Sequence, residues 1–198
     1  MLKSIFAVAA LTTSIANASC EHPLLSNFIK ETNHPELIQC KTIPNGSGLT
    51  VFFIPSDGDP DSAELDLDIL VVNESGTVVS GIFKPKEFTN LVTSTNIDTA
   101  NYKLNDQTRA FGIDYELSNG SDTVVNRDLY IIDGRDVKLV ADDIGIMNSK
   151  TKRTIDIGSK ASNGYNNLIV KEGKKKYELT FNPKTGTYDV PAKIQNSF

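Results

Sequence analysis

The sequence predicts an all-β protein, an antiparallel sandwich or barrel-like domain of about ten strands with a short N-terminal helical arm. Three observations predict it. Phe111-Gly112-Ile113-Asp114-Tyr115-Glu116-Leu117 alternates strictly, which puts Phe111, Ile113, Tyr115 and Leu117 on one face of an extended chain. Beyond Cys40 the chain is a series of short apolar runs separated by Gly, Asn, Asp and Pro, with turn signals about every 8–15 residues. No apolar periodicity of helical length separates those runs, which argues against a parallel βαβ sheet. Four-stranded propeller blades give a similar texture, so a partial β-propeller is the alternative architecture.

Taken in order, residues 21–38 are the best helical stretch. Leu24, Leu25, Phe28 and Ile29 share one face of a short helix, and Pro35 opens a second turn with Leu37 and Ile38. Val51-Phe52-Phe53-Ile54 reads as a strand ended by Pro55. Leu65 to Val72 alternates and then becomes wholly apolar, so one end faces water on one side and the other is buried on both faces. Asn73-Glu74-Ser75-Gly76 turns it back into Thr77-Val78-Val79. Leu129 to Ile132 and Val137 to Val140 flank Asp133-Gly134-Arg135-Asp136, a hairpin signal. Thr154 to Ile157, Leu168 to Lys171 and Lys174 to Phe181 are further strands, and Asn182-Pro183-Lys184-Thr185-Gly186 turns the chain into Tyr188-Asp189-Val190. Residues 55–64 and 142–152 read as surface loops of a single domain spanning 19–198.

Composition narrows the function. The 198 residues carry 20 Lys+Arg against 25 Asp+Glu, a net charge of -5. A nucleic-acid binder ordinarily carries a basic patch to neutralise phosphates, and adhesion to anionic lipid needs the same. Two His and two Cys supply few ligands for a transition-metal centre.

The first residues read as an address. Lys3 precedes the apolar run Ile5 to Leu11, and Ala16-Asn17-Ala18 supplies small residues for cleavage after Ala18. Residues 1–18 are therefore expected to be a secretory signal peptide, and the apolar run is too short to span a bilayer core of about 30 Å. The expected location is periplasmic or secreted, with no transmembrane segment after the signal is removed. An oxidising compartment and an even cysteine count point to a Cys20–Cys40 disulfide. It would close a loop of about 20 residues and contribute on the order of 3 kcal/mol. Lipidation of Cys20 is the alternative; Asn17 stands where a lipoprotein signal prefers a Leu-like residue.

Several segments resemble an uncharacterised family of exported proteobacterial proteins. They are Cys40-Lys41 with Pro44, Leu65 to Val72, Ile97-Asp98-Thr99-Ala100-Asn101-Tyr102-Lys103-Leu104, Arg109 to Ile113, Lys152-Arg153-Thr154-Ile155-Asp156-Ile157-Gly158, Gly164-Tyr165 and Leu168-Ile169-Val170. Many relatives carry an additional Cys-containing stretch before the Lys-Arg-Thr segment, where this chain has only Asp142 to Lys150. The resemblance implies export and a shared fold, and it transfers no activity.

Asp57-Gly58-Asp59-Pro60-Asp61 is the most suggestive cluster, since alternate carboxylates in a loop can converge on Ca²⁺. It departs from an EF-hand loop: Ser62 stands where a sharp turn needs Gly, Pro60 stiffens the segment, and Asp68 replaces the bidentate Glu. The bland reading of Asp57, Asp59 and Asp61 is a solvated acidic loop. Asp66 and Asp68 share a strand face and could serve as acid and base in glycoside chemistry, or keep an exposed strand soluble. His22 and His34 lie in the polar arm, with no Gly-x-Ser-x-Gly elbow elsewhere. Arg109 could clamp an anion, or pair with Asp98 or Asp106. Lys171, Lys174, Lys175 and Lys176 form a basic hairpin tip. The expectation is an exported, non-catalytic binding or interaction protein of the cell envelope with a protein or glycan partner. A cell-envelope hydrolase using Asp66 and Asp68 is one alternative. A secreted inhibitor of a hydrolase such as lysozyme, acting through loop 55–64, is another.

Overall fold

A computed structural model describes residues 37–43, 48–56, 66–83, 88 and 91–196. These form thirteen strands and one 3-10 turn at Ala192–Ile194, with no α-helix among them. The expected all-β class is therefore correct; residues 21–36 of the expected helical arm fall outside the described residues, and Gln39 and Cys40 at its end belong to a strand.

The strands are β1 (Gln39–Thr42), β2 (Thr50–Ser56), β3 (Asp66–Val72), β4 (Val78–Phe83), β5 (Leu91–Lys103), β6 (Arg109–Ser118), β7 (Thr123–Asp133) and β8 (Asp136–Met147), followed by β9 (Thr154–Ser162), β10 (Tyr165–Glu172), β11 (Lys175–Leu179), β12 (Phe181–Asn182) and β13 (Thr187–Tyr188). The first eight make one sheet in the order β1-β2-β3-β4-β8-β7-β6-β5. It curls into a nearly closed barrel, not a propeller blade. Two weak seams close it. β4 and β8 meet in parallel at Gly81 and Asp136. β1 and β5 are joined by side chains: Lys41 Nζ donates to Ile97 O at 3.0 Å, and Thr95 Oγ1 donates to Leu37 O at 2.9 Å.

Alternation sorts the side chains into separate cores. Val51, Phe53, Ile69, Val71, Phe111, Ile113, Tyr115 and Tyr130 fill the barrel. Tyr115 packs on Phe53 and Phe88, with ring centroids 5.9 and 4.8 Å apart. The opposite face of β6–β8 (Ala110, Leu129, Ile131, Val140, Ala141, Ile144) packs against the C-terminal strands through Ile155, Leu168, Val170, Leu179, Phe181 and Tyr188. Phe52, Ile54, Leu70 and Val72, on the outer face of β2–β3, form a third cluster with Ile38 and Cys40.

The turns follow the sequence. Asn73 Oδ1 accepts Thr77 N–H at 2.9 Å, and Asn119 Oδ1 accepts Asp122 N–H at 2.9 Å. Gly134 sits at φ +63°, as the tight β7–β8 hairpin requires. Two expectations need correction. Pro55 does not end β2, which runs on to Ser56 opposite Asp66. Pairing with β1 stops at Gln39 and Phe53, so a residue without N–H costs no ladder bond on that side. Nor is 142–152 wholly a loop: β8 continues through Met147, and only the residues beyond it turn.

Candidate functional site

The best-built polar site starts from a charge on an apolar stripe. On β7, Val125, Arg127, Leu129 and Ile131 share a face, and Leu129 and Ile131 are buried in the second core. A cation there has to be paired. Arg127 crosses β6 toward β5, and Gly112 makes the space: a Cβ at Gly112 would lie 3.0 Å from Arg127 Cδ and 3.3 Å from Asp98 Cβ. The guanidinium forks onto Asp114, Nε to Oδ1 at 2.5 Å and Nη2 to Oδ2 at 2.8 Å. Its Nη1 reaches Asp98 Oδ2 and donates to Tyr102 Oη at 2.5 Å. Tyr102 in turn donates to Asp98 Oδ2 at 2.7 Å, while Asp98 Oδ1 accepts Ala100 N–H at 2.8 Å. That last bond shapes the β5 bulge between Asp98 and Tyr102.

Burial sets the electrostatics. The side chains of Arg127, Asp114 and Asp98 are 13%, 13% and 20% exposed. Desolvation alone would lower the Arg127 pKa; the hydrogen bond and charge of Asp114, with Tyr102 and Asp98, more than offset it and hold the pKa above the ordinary value. Burial pushes the Tyr102 phenol well up, against the pull of the Arg127 charge. Neither group changes protonation near neutral pH.

This network walls a groove of about 370 Å³ between β5, β7, β8 and β9. Val125, Ile146 and Ile155 line it, and Ala100, Met147, Lys152 and Thr154 are exposed along it. Arg153 closes one end, donating to Glu172 Oε2 at 2.7 Å and to Gly145 O at 3.0 Å. The Arg153 hydrogen bond also holds the Glu172 carboxyl below its ordinary pKa. Near that end Asn196 ties the chain terminus to the barrel, donating to Val125 O at 3.0 Å and Met147 O at 2.9 Å. Asn196→Ala removes both donors and is expected to cost about 1 kcal/mol. A thermal melt should show a drop of about 2–4 °C, and an unchanged midpoint would mean that this clasp is not needed.

The barrel interior carries a second polar chain. Tyr115 and Tyr130 hydroxyls lie 3.2 Å apart, and Tyr130 donates to buried Asp128 at 3.4 Å. Asp128, Asp142 and Asp143 are the one group among the described residues with metal-ligand spacing, their oxygens within 4.8 Å of one another. Asp143 N–H donates to Asp128 at 2.8 Å, Asn126 donates to Asp143 at 3.2 Å, and all three residues have further interactions within the protein. The cluster is held by protein groups.

The residues singled out by sequence scatter. Asp57, Asp59, Asp61, Cys20, His22 and His34 lie outside the described residues. Cys40 is half-buried on β1, opposite Phe52, and no described cysteine is free. Asp66 begins β3, opposite Ser56, while half-buried Asp68 stands opposite Ile54. Arg109 is exposed at the start of β6, and the carboxylates expected to pair with it are engaged elsewhere: Asp98 with Arg127, Asp106 with Lys103 at 2.9 Å. The basic tip is partly neutralised, Lys171 by Asp156 and Lys175 by Glu172. Arg127 was not among the expected residues. No protein-family model, curated protein or solved structure matches the chain.

Proposed function

We propose that this is an exported, non-catalytic binding protein of the cell envelope, and that the groove between β5, β7, β8 and β9 is its binding site. The carrying observation is the groove's wall. Its apolar floor is bordered by a charged cluster whose groups are mutually paired, with the Arg127 guanidinium held in its charged form. Such a wall suits holding an apolar group of a protein or glycan partner; general acid–base catalysis needs a group poised near the working pH. Export rests on the layout of residues 1–18.

The test is a backbone NMR titration of the chain from residue 19 with peptide and cell-wall glycan fragments from the envelope. Binding should shift Val125, Ile146 and Thr154. Ala100→Trp fills the groove from an exposed position and also supplies a reporter, since the chain has no Trp. It should weaken any such ligand at least about 10-fold, or about 1.4 kcal/mol. A ligand whose affinity survives that substitution binds elsewhere, and a library that shifts none of the three residues removes the reading.

A further inference from the structure

The face of β7 opposite Arg127 carries Asn126, Asp128 and Tyr130, of which Tyr130 belongs to the barrel core. Across the strand pair Arg127 meets Ile144 and Leu129 meets Ala141, so Asp128 alone stands opposite both Asp142 and Asp143. This bulge on β8 gathers three carboxylates, one oxygen of each within 4.8 Å of the others. Asp128 is fully buried, Asp143 half-buried and Asp142 exposed, so the cluster runs from the interior to solvent.

The protein holds these carboxylates, but it leaves a neighbouring oxygen over. Asn126 is 4% exposed, and its Nδ2 donates to Asp143 Oδ1 at 3.2 Å. A carboxylate accepts, so that bond fixes which end of the amide faces Asp143. The amide oxygen is buried and has no hydrogen-bond partner. A buried acceptor left unsatisfied is costly, and a cation beside the carboxylates satisfies it. Each carboxylate has about four acceptor sites, so the bonds it makes within the protein leave room for an ion. Oxygens bound to one Ca²⁺ at about 2.4 Å lie at most about 4.8 Å apart, a limit the three carboxylates meet.

We propose that Asp128, Asp142, Asp143 and the amide oxygen of Asn126 form a Ca²⁺ site between β7 and β8. All four donors are hard oxygens, with no nitrogen or sulfur to favour a transition metal. Ca²⁺ accepts an irregular set of carboxylate and amide oxygens, whereas Mg²⁺ demands a near-octahedral one and gives up its waters reluctantly. The ion offsets the repulsion among three close negative charges and ties the bulged middle of β8 to β7. The site is separate from the acidic segment 57–61 and independent of the groove.

The experiment titrates CaCl₂, and in parallel MgCl₂, into the chain from residue 19 by calorimetry, with thermal melts alongside. Expected are one Ca²⁺ per chain with a Kd of about 10⁻⁴–10⁻³ M, weaker Mg²⁺ binding, and a Tm that rises with Ca²⁺. Asp142→Asn, at an exposed position, should weaken Ca²⁺ at least about 10-fold and abolish the rise in Tm. Asn126→Ala should weaken it several-fold. No binding up to about 10 mM, Mg²⁺ binding as tightly as Ca²⁺, or a parental Kd in either variant overturns the proposal. So does an affinity lost only when Asp57→Asn, Asp59→Asn and Asp61→Asn are combined, which puts the ion on the acidic segment.

Discussion

Arg127→Met is expected to destabilise the protein by about 3–5 kcal/mol, a large share of a typical domain's stability. The reason is what remains. Asp98 and Asp114 are mostly buried on the outer barrel wall, and the guanidinium fork is their shared counter-charge. Removing it strands two desolvated carboxylates, which costs more than the pair itself contributes. Thermal unfolding should drop by roughly 10 °C. Pairing Arg127→Met with Asp114→Leu should recover part of the loss, because one stranded charge then disappears. Gly112→Val should act in the same direction by displacing the Arg127 stem it crowds. A loss below about 1 kcal/mol for Arg127→Met would show the cluster to be solvated, as surface pairs are. The groove would then lack the fixed wall on which the binding proposal rests.

How far the sequence could lead depended on whether period two survived. β6 and the β7–β8 hairpin were legible because Phe111 to Leu117 alternates without a break and Gly134 marks the turn. β3 was legible as buried on both faces, and Ile69 and Val71 do face the barrel while Leu70 and Val72 face outward. The second half of β8 was not. Register shifts opposite Val125, Arg127 and Leu129 insert extra residues, and Asp143 takes φ +53°, so its polar residues imitate a loop. β5 was hidden for a similar reason: bulges displace its few apolar residues. Barrel closure could not be read either, because it depends on Gly81 meeting Asp136 and on two side-chain bonds across the β1–β5 seam.

The site was half visible. Asp98 was recognised as an ion-pair partner, but for Arg109 on the next strand and not for Arg127. The better signal was Val125-Asn126-Arg127-Asp128-Leu129. Its odd members are apolar except for one arginine, and a cation on an apolar stripe announces a buried pair.

Alkaline pH should unfold this protein cooperatively. Four of its six tyrosines have phenols raised by burial above the ordinary value near 10: Tyr102, Tyr115, Tyr130 and Tyr188. For Tyr130 the charge of Asp128 adds to desolvation. In the unfolded chain all four lose their protons near pH 10, while the native state keeps them to higher pH. Above that point the native state binds more protons, so its stability falls as pH rises. The contribution is complete below the unfolded value and lost as pH climbs through the folded ones. Each tyrosine gives a slope of up to about 1.4 kcal/mol per pH unit, and four together approach roughly 5 kcal/mol per unit. Tyrosinate absorbance and far-UV circular dichroism followed together should break at one pH, with the tyrosinate signal jumping as the β signal disappears. Tyr130→Phe should shallow the slope by one tyrosine's share. Tyrosinate forming smoothly around pH 10 in a chain that keeps its β signal would mean these hydroxyls meet water and the two cores that hold them are not packed.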